Sequence, residues 1–89
     1  MVVEKVVYIQ NKLGMHLRPA TLLVREASRF KSKIELEVDG TRVNGKSFMG
    51  VMMLAAAYGS KVTINATGED AEEAVEKIKA IIDSKFDEE

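Results

Sequence analysis

Ile34-Glu35-Leu36-Glu37-Val38-Asp39-Gly40-Thr41-Arg42-Val43 is the stretch on which the fold turns. Apolar and charged residues alternate strictly from Ile34 to Val38, the period of a strand with one face buried. Asp39-Gly40 follows at once, and such a pair suits the positive φ angles of a two-residue hairpin turn. Thr41 to Val43 is then the short return strand. A hairpin at mid-chain calls for an antiparallel or mixed sheet.

The flanks supply the other elements. Lys31 to Lys33 is a polar break. Before it, Ala20, Leu23, Val24 and Ala27 fall at i, i+3, i+4 and i+7 and predict an amphipathic helix from about Leu17 to Phe30. Asn11 to Gly14 is a loop. Residues 2–9 (VVEKVVYI) are rich in β-branched types and predict a strand. They are apolar on both parities, so periodicity leaves the buried face open.

On the other side, Asn44-Gly45-Lys46 is a loop. Ser47 to about Leu54 predicts a short helix with Ser47 at its N-cap. Ala55-Ala56-Ala57-Tyr58 is a candidate extension, and Gly59 marks the stop. Lys61 to Ala66 alternates and predicts a strand, with Thr67-Gly68-Glu69 as the turn after it. Asp70 with Glu73 three residues on is close to a capping box. Ala71, Ala74, Val75, Ile78, Ile81 and Ile82 form the apolar stripe of a last helix. Glu73 and Lys77 are placed to pair at i, i+4. Asp87-Glu88-Glu89 reads as a frayed acidic tail. The order β-α-β-β-α-β-α is that of an α+β two-layer sandwich, with a four-stranded sheet covered by helices on one face.

Bulk properties narrow the function. With 89 residues, the chain is expected to be one domain spanning 1–89. Such a domain buries roughly 60–70% of its unfolded surface, enough for one modest core without metal or disulfide staples. Cysteine is absent, which excludes a disulfide framework, a thiol nucleophile and a cysteine-based zinc site. No signal peptide is visible, because charge interrupts Met1-Val2-Val3-Glu4-Lys5 too early. The longest apolar run, Val51 to Tyr58, is far short of the roughly 20 residues that span a bilayer. A cytoplasmic protein with no membrane insertion is expected. The 13 basic and 14 acidic residues give no basic surplus, so direct nucleic-acid binding is not expected.

The only histidine and the only proline lie three positions apart in Gly14-Met15-His16-Leu17-Arg18-Pro19-Ala20. Pro19 suits a first helical turn, where its missing N–H costs nothing. His16 therefore falls at or near the N-cap. A helix N-terminus presents unpaired backbone N–H groups and a partial positive charge, a ready site for phosphate. A neutral imidazole keeps a lone pair and is a nucleophile. Arg18 brings a guanidinium, which pairs well with phosphate oxygens. Together these point to phosphoryl transfer onto His16, held by Arg18 and the first-turn N–H groups of Leu17 and Arg18. The plain alternative is that His16 caps a helix and Arg18 solvates its first turn. No Walker or dinucleotide motif occurs, so the phosphoryl donor must be a partner protein. One histidine without cysteine leaves no metal cluster, and neither cofactor nor metal is expected. The chemistry is that of a carrier, not of a stand-alone catalyst.

These residues resemble the HPr family, the histidine-containing phosphocarriers of the bacterial phosphoenolpyruvate-dependent sugar phosphotransferase system. The family pattern, roughly G-[LI]-H-A-R-P-A, is matched by Gly14 to Ala20 at every position but Met15 and Leu17. A second pattern, roughly N-x-K-S-[IL]-[ML]-G-[VL]-[ML], is matched by Asn44-Gly45-Lys46-Ser47-Phe48-Met49-Gly50-Val51-Met52 at every position but Phe48. The resemblance covers nearly the whole chain. It implies an HPr-like open-faced β-sandwich, with a four-stranded antiparallel sheet and three helices on one face. It implies that His16 accepts a phosphoryl group at Nδ1 from phosphorylated enzyme I, and passes it to the A domains of sugar-specific enzymes II. Arg18 matches the active-site arginine. Ser47 matches a regulatory serine, modified by an HPr kinase/phosphorylase; the phosphoserine form binds a catabolite-control transcription regulator. A monomer is expected from the family.

A carrier with several partners needs an adaptable surface. Met15, Leu17, Ala20, Phe48, Met49 and Met52 are the candidates, because exposed methionine and aromatic groups suit varied partners. Lys46 and Arg25 are candidate charges for acidic partners. Leu17 stands where the family usually has alanine, and Phe48 and Met53 also depart from the commonest residues, which bears on partner preference. HPr-like paralogues that serve only regulation lack the histidine, which is retained here. Three other readings compete. One is a carrier in a nitrogen-related or dihydroxyacetone-kinase phosphorelay. Another is a regulatory binding module acting through Ser47 alone. The last is a small structural domain that is never phosphorylated.

Overall fold

A computed structural model describes residues 1–87. Glu88 and Glu89 of the expected acidic tail lie outside the described residues. The chain runs β1 (Val2–Tyr8), α1 (Leu17–Ala27), β2 (Lys33–Val38), β3 (Thr41–Asn44), α2 (Phe48–Met53), β4 (Lys61–Thr67) and α3 (Ala71–Asp83), then a turn at Lys85–Asp87. The strands form one antiparallel sheet in the order β1-β4-β2-β3. The hairpin forms as read: Val38 pairs with Thr41, and both turn residues have positive φ, 49° at Asp39 and 83° at Gly40.

Alternation sets the two faces. Ile34, Leu36 and Val38 of β2 and Val62, Ile64 and Ala66 of β4 are buried. The structure also settles β1, whose odd positions turn inward: Val7 is buried and Val3 partly so, while Val2, Val6 and Tyr8 are exposed. The helices cover the inward face. α3 packs on β1, β4 and β2, α2 on β3, and α1 on both other helices. Ala20, Leu23, Val51, Val75, Ile78 and Ile82 are their buried anchors. The outer face stays open, and there Arg42 lies 3.5 Å from Glu35 and 2.9 Å from Glu37. This is the open-faced sandwich expected, with three helices on one side.

Four local readings are corrected. α1 stops at Ala27, not Phe30, and the N–H groups of Ser28, Arg29 and Phe30 close the end as turns. The alanine run does not extend α2. Ala55 turns to φ 49°, and the carbonyl of Ala56 accepts the N–H of Met15 at 2.7 Å. Asp70 precedes α3 without capping it. Its carboxylate accepts instead from the N–H of Lys31 (2.9 Å), the N–H of Ser32 (3.0 Å) and the Ser32 hydroxyl, binding the start of α3 to the α1–β2 connection. Among the described residues, α3 pairs Glu76 with Lys5 and Lys79 with Asp83, and Glu73 does not pair with Lys77. After α3, residues 85–87 all adopt φ between 55° and 59°, a left-handed turn that delivers Phe86 to the core.

Candidate functional site

His16 is the N-cap of α1. Its backbone is extended (φ −131°, ψ −165°), its side chain makes no capping bond, and its carbonyl accepts the N–H of Ala20 at 3.0 Å. The imidazole is half-buried. The first turn carries no acidic residue. Pro19 has no N–H, and the N–H of Ala20 is taken, so Leu17 and Arg18 hold the first-turn donors left for an anion. Arg18 is exposed, and among the described residues no carboxylate pairs with its guanidinium.

The loop before His16 is held from two sides. Asn11 is 0% exposed. Its side-chain amide donates to the carbonyl of Gly14 at 2.7 Å, and the N–H of Gly14 donates back to the carbonyl of Asn11 at 3.1 Å. The next bond, Met15 N–H to Ala56 carbonyl, ties the loop to the segment after α2. Gly14 is forced twice over. Its φ is 70°, and a Cβ there would lie 2.5 Å from the Ala56 carbonyl oxygen and 2.9 Å from Ala57 Cα. Sequence reasoning passed over Asn11 as a loop residue. The only signal was an asparagine three positions before a glycine, a type that hydrogen-bonds its local backbone.

Ser47 is the N-cap of α2, as read. Its hydroxyl accepts the N–H of Gly50 at 3.1 Å, and its carbonyl accepts the N–H of Val51 at 3.0 Å. Lys46 is already engaged: its ammonium donates to the Phe30 carbonyl at 2.6 Å, closing the end of the α1 segment. It therefore binds within the fold and is not a charge held out to a partner. Arg25 stays exposed on the last turn of α1.

The predicted partner surface divides. Leu17 (64% exposed) and Met49 (66%) stand out in solvent, while Phe48 and Met52 are half-buried against the core. Met15 (7%) and Ala20 (0%) are core residues. Met15 is drawn inward by the bond from its own N–H to Ala56, and Ala20 faces inward in the first turn of α1, so neither side chain is offered to a partner. Met53, absent from the predicted set, is 73% exposed one turn beyond Met49. Among the described residues, no group of three or more His, Cys, Asp or Glu side chains is placed to hold a metal. No helix there is long and apolar enough to cross a membrane.

Comparison with known proteins bears on this geometry. A family model described as the PTS HPr component phosphorylation site matches residues 3–84. The chain is 49% identical over 80 residues to the HPr-like protein Crh of Bacillus subtilis, covering 90% of this chain and 94% of that one. It is 47% identical over 87 residues to the phosphocarrier protein HPr of Treponema pallidum, covering 98% and 99%. Two solved structures from Thermoanaerobacter tengcongensis are also similar. HPr-C-His has a TM-score of 0.94 at 46% identity, covering 98% of both chains. An HPr dimer has a TM-score of 0.77 at 46% identity, covering 90% and 92%.

Proposed function

The chain belongs to the HPr family of phosphocarriers, and from that premise we propose that it relays phosphoryl groups within the sugar phosphotransferase system through His16. Phosphorylated enzyme I, charged from phosphoenolpyruvate, is the donor. The lone pair of His16 Nδ1 attacks phosphorus, the new N–P bond forms, and the bond to the donor breaks. The A domains of enzymes II then take the group by the same step in reverse. Arg18 and the N–H groups of Leu17 and Arg18 steady the phosphoryl oxygens. No bound cofactor or metal takes part, and the protein acts in the cytoplasm as one domain, residues 1–89, and as a monomer.

One observation carries this reading. His16 heads α1 without capping it, beside an exposed arginine and a first turn free of acidic side chains. Such a helix end favours an anion on the adjacent ring. Leu17, Met49 and Phe48 supply apolar contact for partners that must bind and leave quickly. The test is transfer: protein charged by enzyme I and phosphoenolpyruvate should lose its phosphoryl group to an enzyme II A domain. Retention of the group with every such domain supplied would count against the sugar relay.

A second reading concerns Ser47, and the likeness to an HPr-like protein, Crh, favours keeping it. Here an HPr kinase/phosphorylase modifies Ser47, and the phosphoserine form binds a catabolite-control transcription regulator. Phosphate at a helix N-cap is compatible with the helix, since the dipole and the free N–H groups favour the charge. Acid-stable phosphate on Ser47 after treatment with the kinase and ATP would support it. If His16 took no phosphoryl group, regulation through Ser47 would be the whole function.

A further inference from the structure

Met49 and Met53 sit one turn apart on α2, so they are neighbours on one face of the helix. Both side chains are exposed, at 66% and 73%. The opposite side of the helix does the anchoring: Val51 is fully buried, and Leu54 follows it into the core. Met52 is half-buried and Met15 is a core residue. Met49 and Met53 therefore lie outside the core, yet on the helix that Ser47 caps.

We propose that Met49 and Met53 are reversible oxidation sites, and that hydrogen peroxide switches off docking to this face by converting them to sulfoxides. This rests on the carrier reading above, in which the face of α2 meets partners. Each step balances. A sulfur lone pair attacks one peroxide oxygen, the O–O bond breaks, and water leaves as the sulfoxide forms. A sulfoxide reductase returns the thioether and water at the expense of two thiols, which become a disulfide. Oxidation replaces a flexible apolar group by a strongly polar one. A partner must then strip water from a dipole it has no group to satisfy, which weakens docking. Because neither sulfur is in the core, the fold survives the change and the reductase has its native substrate to restore.

The experiment exposes the full chain to hydrogen peroxide, maps oxidation by peptide mass over time, and measures phosphorylation by enzyme I. Met49 and Met53 should oxidise well before Met15, with far-ultraviolet circular dichroism unchanged. The KM of enzyme I for this protein should rise about fivefold or more, and methionine sulfoxide reductase should restore it. The double variant Met49→Leu, Met53→Leu is compared with itself before and after peroxide. It still oxidises at the exposed Met1, so an unchanged KM in the variant would assign the effect to α2. The proposal is overturned if Met49 and Met53 oxidise no faster than Met15, if the oxidised protein keeps its KM, or if the variant is impaired as much as the parent. Failure of the untreated protein to accept phosphate is a separate result: it overturns the carrier reading, and this regulation with it.

Discussion

Asn11 and Gly14 hold each other across the loop that leads to His16: the Asn11 amide donates to the Gly14 carbonyl at 2.7 Å, and the Gly14 N–H returns a bond to the Asn11 carbonyl at 3.1 Å. The loop is thus closed before the helix begins. Asn11→Ala removes the buried donor and leaves the Gly14 carbonyl unsatisfied, a loss of about 1–3 kcal/mol. Urea unfolding should show a lower midpoint at constant slope. Phosphate uptake from enzyme I should slow as well, because His16 is two residues from the loosened carbonyl.

Gly14→Ala should be worse. An L-residue at φ 70° costs about 1–2 kcal/mol from conformation alone. The new Cβ would also press within 2.5 Å of the Ala56 carbonyl oxygen, backbone that has no easy way to yield. The N-cap would be displaced from the segment it is tied to. Thermal unfolding at a temperature lower than that of Asn11→Ala, with slower phosphorylation, is the expected result; a variant as stable as the parent would show that the close approach is unimportant.

Ser47→Ala deletes the hydroxyl that accepts the Gly50 N–H. Loss of an N-cap of this type costs about 0.5–2 kcal/mol. α2 has only six residues, so little else in the helix offsets the loss. Hydrogen exchange should quicken first at Gly50. The variant should also take up no acid-stable phosphate from the serine kinase.

Stability should depend on pH through Asp70. The Ser32 hydroxyl first and then the Lys31 N–H, with a lesser share from the Ser32 N–H, hold its carboxyl below the ordinary value of 3.8, against the opposing effect of burial. A carboxylate whose pKa is depressed by folding binds fewer protons in the native state than in the unfolded chain. Its contribution is therefore complete above 3.8 and is lost as pH falls through the native value. Denaturation midpoints of the parent and Asp70→Ala should differ by a constant amount near neutral pH and converge in strong acid. A gap that persists unchanged into strong acid would mean that the clamp is not ionic.

Much of this was legible in the residues, because the decisive patterns are local. The Ile34–Val43 hairpin, the Pro19-marked start of α1 and the Ser47 cap each follow from neighbouring side chains. What escaped depends on distant partners. In β1 both parities are apolar, and only pairing with β4 and packing of α3 select Val3 and Val7 for the interior. Asp70 has the sequence of a helix cap, but Ser32, 38 residues away, offers its carboxylate better donors. Three alanines favour helix, yet the Ala56 carbonyl is claimed by Met15. That bond also explains why Met15, beside the histidine in sequence, is absent from the surface. Phe86 gave no periodic signal, since a left-handed turn outside any helix carries it inward.

Phosphoryl transfer onto His16, as proposed above, is open to one direct test. Parent protein and His16→Ala should be incubated in parallel with phosphoenolpyruvate, magnesium and purified enzyme I, then weighed intact by mass spectrometry before and after brief acid treatment. If His16 is the acceptor, the parent gains one phosphoryl group, released by acid, and the variant gains none. No gain by the parent, or an equal gain by His16→Ala, would contradict it.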